Sequence, residues 1–198
     1  MGFEPDPLLA RHAALLDPGA IPGPVLDLAC GDGHNGLFLA ARGVPVVLLD
    51  RSEEALRRAR RRAEREGLEP VFQAVDLEEG PDAPLPRNAY GAVLVFRYLH
   101  RPLFPHIRRT LRPTGLLVYE TFTEDQPRFG RPRNPDHLLR PGELSGWFRD
   151  WEILHAFEGV LNDPPRAVAR LVCRKPARHA NQASTHSQKP GLARPGTT

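Results

Sequence analysis

Cysteine occurs only at Cys30 and Cys173, which excludes a disulfide framework and gives no metal-ligand spacing, so no metal is expected. Lysine is equally scarce. Lys175 and Lys189 are its only occurrences, and arginine supplies nearly all the positive charge. No apolar run approaches the roughly 18–20 residues of a membrane span. The first seven residues are acidic and proline-containing and lack the basic and apolar regions of a secretion signal, so a cytoplasmic protein is expected. The formal net charge of +3 permits nucleic-acid binding without demanding it. What is present is an ordinary globular composition, 40% hydrophobic and 26% charged, in 198 residues. That length fits one domain with a sizeable core. The domain is expected over residues 1–176, with a disordered tail over 177–198.

Apolar patterning predicts alternating elements. A short helix over 7–16 starts from Asp6 as N-cap and Pro7 at the first helical position. Strands are predicted at 25–29, 44–49, 71–75, 89–96, 116–119, 151–157 and 167–174. Helices are predicted from Gly33 to about Ala41, at 52–66, 102–111 and 141–148. The helix after Ser52 places Ala55, Leu56, Ala59 and Ala63 on one face and ends at Gly67. Its Glu–Arg pairs at spacing four read as a solvated face. Residues 112–115 read as a turn, and 121–140 carry no period. Strand–helix alternation over 25–119 predicts an α/β, doubly wound parallel sheet with helices on both faces. With the two closing strands, a sheet of about seven mostly parallel strands is expected, the last strand antiparallel. Such sheets bind ligands beyond the carboxyl ends of the strands, where the strand order reverses.

Three strand ends converge there. Gly31 and Gly33 permit a tight turn and close backbone approach, and the following helix start offers free N–H groups. Gly31–Gly36 also fits the dinucleotide fingerprint, so the glycines leave a nicotinamide-dependent oxidoreductase open. Asp27 is the residue that discriminates. A carboxylate before the glycines repels a pyrophosphate and attracts an ammonium or a sulfonium. Asp50 ends the second strand and suits ribose hydroxyls, whereas Asp76 ends the third and suits an adenine amino group, with Leu77 beside it.

The segment Asp27-Leu-Ala-Cys-Gly-Asp-Gly33 resembles the first motif of class I S-adenosylmethionine-dependent methyltransferases, on a Rossmann-like fold. Leu49-Asp50-Arg51-Ser52 is similar to their second-strand acid, Ala74-Val-Asp-Leu77 to their adenine-contact segment, and Leu111-Arg-Pro-Thr-Gly-Leu-Leu117 to their turn into the fifth strand. Thr114 departs from the usual glycine of that turn. The resemblance covers about residues 25–174 and is nearest in type to small tellurite-resistance methyltransferases. It implies S-adenosylmethionine as cofactor, with Asp27, Ala29, Gly31, Gly33, Asp50, Arg51, Asp76, Leu77 and Phe96 around it.

Methyl transfer from a sulfonium is an in-line displacement, and a base is needed only where the acceptor loses a proton. The candidates beside the methyl are Arg97, Tyr98 and His100, which follow the fourth strand. Tyr119 ends the fifth strand, and Arg128, Arg131 and Arg133 lie in the long loop, read as a lid over a small, anionic acceptor. An RNA or protein acceptor stays open, with Phe129 able to stack on a base, as does a non-catalytic nucleoside-binding protein.

Overall fold

The computed structural model describes residues 3–79 and 85–177. Apart from Ala177, the expected tail lies outside the described residues. Seven strands form one sheet in the order β3-β2-β1-β4-β5-β7-β6. They are β1 (Val25–Leu28), β2 (Val46–Asp50), β3 (Val71–Ala74), β4 (Tyr90–Phe96), β5 (Leu111–Phe122), β6 (Glu152–Asn162) and β7 (Pro165–Arg174). The pairs from β3 through β5 are parallel, and β7 runs antiparallel to both β5 and β6. The chain winds outward from β1 to β3 and restarts at β4 on the other side of β1. The β1–β4 junction is therefore the switch point.

Alternate strand residues feed two cores. Leu26, Leu28, Val93, Val95, Leu117 and Tyr119 pack with Phe104 and Ile107 of α4 (Phe104–Thr110) and Leu144 of α5 (Glu143–Trp147). Val25, Leu48, Ala92, Leu94, Leu116 and Val118 face the other way. They meet α1 (Pro7–His12), α2 (His34–Ala40) and α3 (Glu53–Arg65) through Leu8, Leu9, Leu37, Leu39, Leu56 and Ala63. Asp6 caps α1 by accepting from Leu8 N–H, and Ser52 caps α3 by accepting from Ala55 N–H. Both cysteines are free and buried, and burial pushes the Cys30 thiol up, so it stays protonated.

Several elements differ from the pattern-based expectation. Expected helix 7–16 closes with a 3-10 turn, Ala13–Leu16, and expected helix 102–111 opens with one, Arg101–Leu103. The expected turn at 112–115 lies inside a single long β5. Register against β4 jumps from Tyr90↔Leu111 to Ala92↔Leu116, so Arg112–Gly115 bulges from a strand that continues, with Thr114 at φ +64°. β3 is an exposed edge rather than a doubly covered strand, and Phe72 is sheltered by the Arg60 guanidinium, 4.9 Å from the ring centroid. Of the expected pairs on α3, Glu54–Arg58 forms at 2.8 Å, whereas Arg62 reaches Asp32 at 2.9 Å. The long loop is tied down. Thr123 bridges Leu139, and Gln126 donates to Arg131 C=O (3.0 Å) and accepts from Ala167 N–H (2.9 Å).

Candidate active site

A cleft of about 600 Å³ opens at the carboxyl ends of β1–β5. Ala29, Asp50, Arg51, Asp76, Leu77, Phe96, Arg97, Tyr98 and Arg131 line it, all singled out by sequence. Val75, Glu78, Leu99, Phe122, Pro132 and His137 line it as well. Glu78 follows Asp76 by two positions, and its carboxylate accepts from Tyr98 Oη–H at 3.2 Å. Only its place just after a strand end hinted at this. Phe122 was missed because β5 runs three residues past the expected stop at Tyr119.

The turn after β1 borders the cleft through Ala29. Ala29, Gly31 and Gly33 all have positive φ, at 54°, 56° and 75°. Asp50 organises that turn: Gly31 N–H donates to Oδ2 and Ser52 N–H to Oδ1, each at 2.8 Å. A carboxylate has about four lone-pair sites, so both oxygens keep capacity for a diol. Asp76 accepts from Glu78 N–H at 2.9 Å, and Arg51 lies 4.0 Å from Asp76 and 3.9 Å from Glu78.

Asp27, Gly31 and Gly33 do not line the cleft. Asp27 is 2% exposed, beneath the turn, where it accepts from Gly36 N–H at 2.8 Å. Burial pushes its carboxyl up to about 7, the negative charges of Asp50 and Asp32 add to this, and the Gly36 amide opposes it. Its reach to a cation is therefore through space rather than by lining contact. The same geometry bears on the dinucleotide alternative, because one amide at the start of α2 is already occupied by a carboxylate.

Four residues expected near the acceptor lie elsewhere. His100 precedes the turn Arg101–Leu103 and lines a separate recess of about 350 Å³. Tyr119 is 1% exposed, packs 5.9 Å from the Phe104 ring and donates its hydroxyl to Tyr98 C=O at 3.0 Å. Strand alternation turns Tyr119 toward α4 and Glu120 toward the opposite face. Arg128 pairs with Asp125 at 3.2 Å on the surface, and Arg133 is exposed. Arg131 alone of the three loop arginines reaches the cleft.

A second chamber of about 510 Å³ adjoins the first, and Arg97 and Phe122 line both. Its other walls are the N-terminal segment Glu4–Pro7, His34, Glu120, and Asp163, Pro164 and Arg166 at the β6–β7 turn. Asp6 N–H donates to Asn35 Oδ1 at 2.8 Å, which fixes the N-terminal segment over the start of α2. Glu120 is engaged by Arg170 at 2.6 Å and Arg166 at 3.7 Å. Arg97 follows β4 in the left-handed region (φ +56°), and its N–H donates to Glu120 C=O at 2.8 Å. Its guanidinium has no carboxylate partner among the described residues. Sequence reasoning missed this chamber, since its walls come from five segments far apart in the chain.

A diol acceptor at Asp50, apolar flanks at Val75, Leu77 and Phe96, and a buried carboxylate beneath the Gly-rich turn fit a nucleoside that carries cationic charge. With the sheet order, these features define a class I methyltransferase fold, whose cofactor is S-adenosylmethionine. Residues 25–115 match the family described as Methyltransferase domain. The probable S-adenosyl-L-methionine-dependent methyltransferase TehB of Haemophilus influenzae is 26% identical over 166 residues, 77% of this chain and 55% of that protein. Its crystal structure superimposes with a TM-score of 0.66 at 23% identity, covering 85% of this chain and 61% of the other. The tRNA 5-carboxymethoxyuridine methyltransferase of Escherichia coli K12 is 25% identical over 156 residues, 66% of this chain and 60% of that protein. The chain thus spans little more than half the length of these curated relatives. No helix among the described residues is long and apolar enough to cross a membrane.

Proposed function

We propose that this protein transfers the methyl group of S-adenosylmethionine to a small acceptor bearing an anionic group, seated in the chamber beside Arg97. One observation carries the reading. Arg97 stands unpaired where the two cavities meet, on a left-handed backbone that a non-glycine residue adopts only when its surroundings enforce it. The similarity to TehB and to an RNA methyltransferase supports the reaction class and leaves the acceptor to this geometry.

Bound in the cleft, the cofactor supplies a methyl group activated by its sulfonium. Asp50 holds the ribose, and Asp76 with Leu77 holds the base. Arg97 orients the anionic end of the acceptor. Pro132 and His137, brought over by the anchored loop, keep water from the reacting atoms. His34 was not singled out by sequence. It lines the chamber, and burial and the nearby Arg97 lower its pKa, which favours the neutral imidazole that can accept a proton from an acceptor that has one. The small-acceptor reading is favoured over RNA because the N-terminal segment and the β6–β7 turn wall the chamber.

The test is methyl transfer from isotopically labelled S-adenosylmethionine to a panel of small carboxylic acids and inorganic oxyanions, their neutral analogues, and bulk tRNA. Transfer to small anions is expected. Arg97→Ala should lower acceptor kcat/KM at least tenfold, about 1.4 kcal/mol, while leaving affinity for S-adenosylhomocysteine within about threefold. Transfer to tRNA alone, or full turnover in Arg97→Ala, contradicts the proposal.

A further inference from the structure

A cavity of about 820 Å³ lies at the opposite end of the sheet from the candidate cofactor cleft. Its walls come from the segment before β4, the bulge of β5, α4, α5 and the chain just after β7. β4 spans the distance between the two sites, roughly 20 Å at about 3.3 Å per residue.

The cavity is cationic at its floor. Lys175 is 5% exposed, and its ammonium donates to Arg108 C=O (2.7 Å) and Leu111 C=O (2.5 Å) at the carboxyl end of α4. Capping that helix uses two of the three N–H donors and leaves one. No carboxylate pairs with it among the described residues. Burial, with the positive charges of Arg108 and Arg87, lowers its pKa. Two carboxylates line the cavity, and both are committed. Asp150 is held by Arg108 at 2.9 and 2.6 Å, and Glu143 by Arg101 at 2.7 and 2.8 Å. Arg87 and Arg149 on the rim have no such partner among the described residues. A buried cation without a counter-charge is costly unless an anion joins it. Beside this charge lies a flat apolar surface. Trp147 is 38% exposed, with its ring stacked 4.9 Å from Phe104.

We propose that this cavity is a second ligand site, for a planar organic anion whose ring lies against Trp147 and whose acidic group meets Lys175, Arg87 and Arg149. An unsaturated ring satisfies the aromatic wall, and a single acidic group supplies the missing counter-charge.

Calorimetric titration of the full chain tests this with three probes: 1-naphthoate, the neutral 1-naphthalenemethanol, and inorganic phosphate. Saturable 1:1 binding of naphthoate is expected, with both other probes at least tenfold weaker. The double variant Arg87→Ala, Arg149→Ala, at exposed positions that leave packing intact, should weaken naphthoate at least tenfold. Saturating S-adenosylhomocysteine should leave naphthoate affinity unchanged. Lys175→Met should also abolish binding, and the arginine variant decides the matter where loss of the helix cap unfolds the protein. Absence of saturable naphthoate binding, equal affinity for the neutral probe or for phosphate, or displacement by S-adenosylhomocysteine overturns the proposal.

Discussion

Asp27 and Asp50 divide the work at the start of the cleft. Asp27 is a carboxyl raised by burial to about 7 from an ordinary 3.8. Below 3.8 both folded and unfolded chains hold its proton. Between 3.8 and about 7 only the folded chain does, so this group's stabilising contribution is lost as pH rises through that window and is flat above it. Roughly three pH units correspond to about 4 kcal/mol. Asp27→Asn keeps an oxygen for the Gly36 amide and does not titrate. Urea unfolding at pH 5 and pH 8 should show a larger fall for the native protein than for the variant; equal falls contradict this account of Asp27. A cation bound near the turn favours the ionised carboxyl, so cofactor binding near pH 7 should release a proton. That release appears in calorimetry as a dependence on buffer ionisation enthalpy and should vanish in Asp27→Asn. Asp50 answers to a different measurement. Asp50→Ala removes the acceptor for Gly31 and Ser52 N–H and, in the proposed function, for the ribose. S-adenosylhomocysteine affinity should drop more than tenfold, and unchanged affinity takes Asp50 out of the site.

At the scale of elements, α2 is held against β1 and β2 by a glycine without a positive φ. A Cβ on Gly36 would meet Leu48 Cδ2 at 2.5 Å and Asp27 Oδ2 at 2.9 Å, so helix and strand approach closely only because it is absent. Gly36→Ala should cost about 1–3 kcal/mol, read as a lower urea midpoint with unchanged slope. A stability equal to that of the native protein contradicts the close packing. The acids at the ends of β2 and β3 and the caps at Asp6 and Ser52 were legible in sequence because each acts through local chemistry. Tyr119, His100, Arg128 and Arg133 lie away from the cleft for the complementary reason. Their surroundings are set by strand alternation, by the three extra residues of β5 and by the anchors at Gln126, none of which leaves a periodic signal. The chamber containing His34 and Arg166 lay further still from local reading, since it exists only once the N-terminus, α2 and the β6–β7 turn come together.

At the scale of the whole molecule, the sheet order puts the cleft and the proposed acceptor chamber on one rim and the cationic cavity on the other. Composition and alternation were enough to predict the parallel part of that sheet, because central strands buried on both faces read as apolar runs. They said nothing about charge placement on either rim, which depends on which arginines find carboxylates. The central claim, a cleft for a cationic nucleoside rather than a dinucleotide, is tested most directly by parallel calorimetric titration with S-adenosylmethionine, S-adenosylhomocysteine and NADH. Saturable binding of the first two with none of NADH is the predicted result. Binding of NADH alone would contradict the reading of Asp27 and assign the cleft to a dinucleotide.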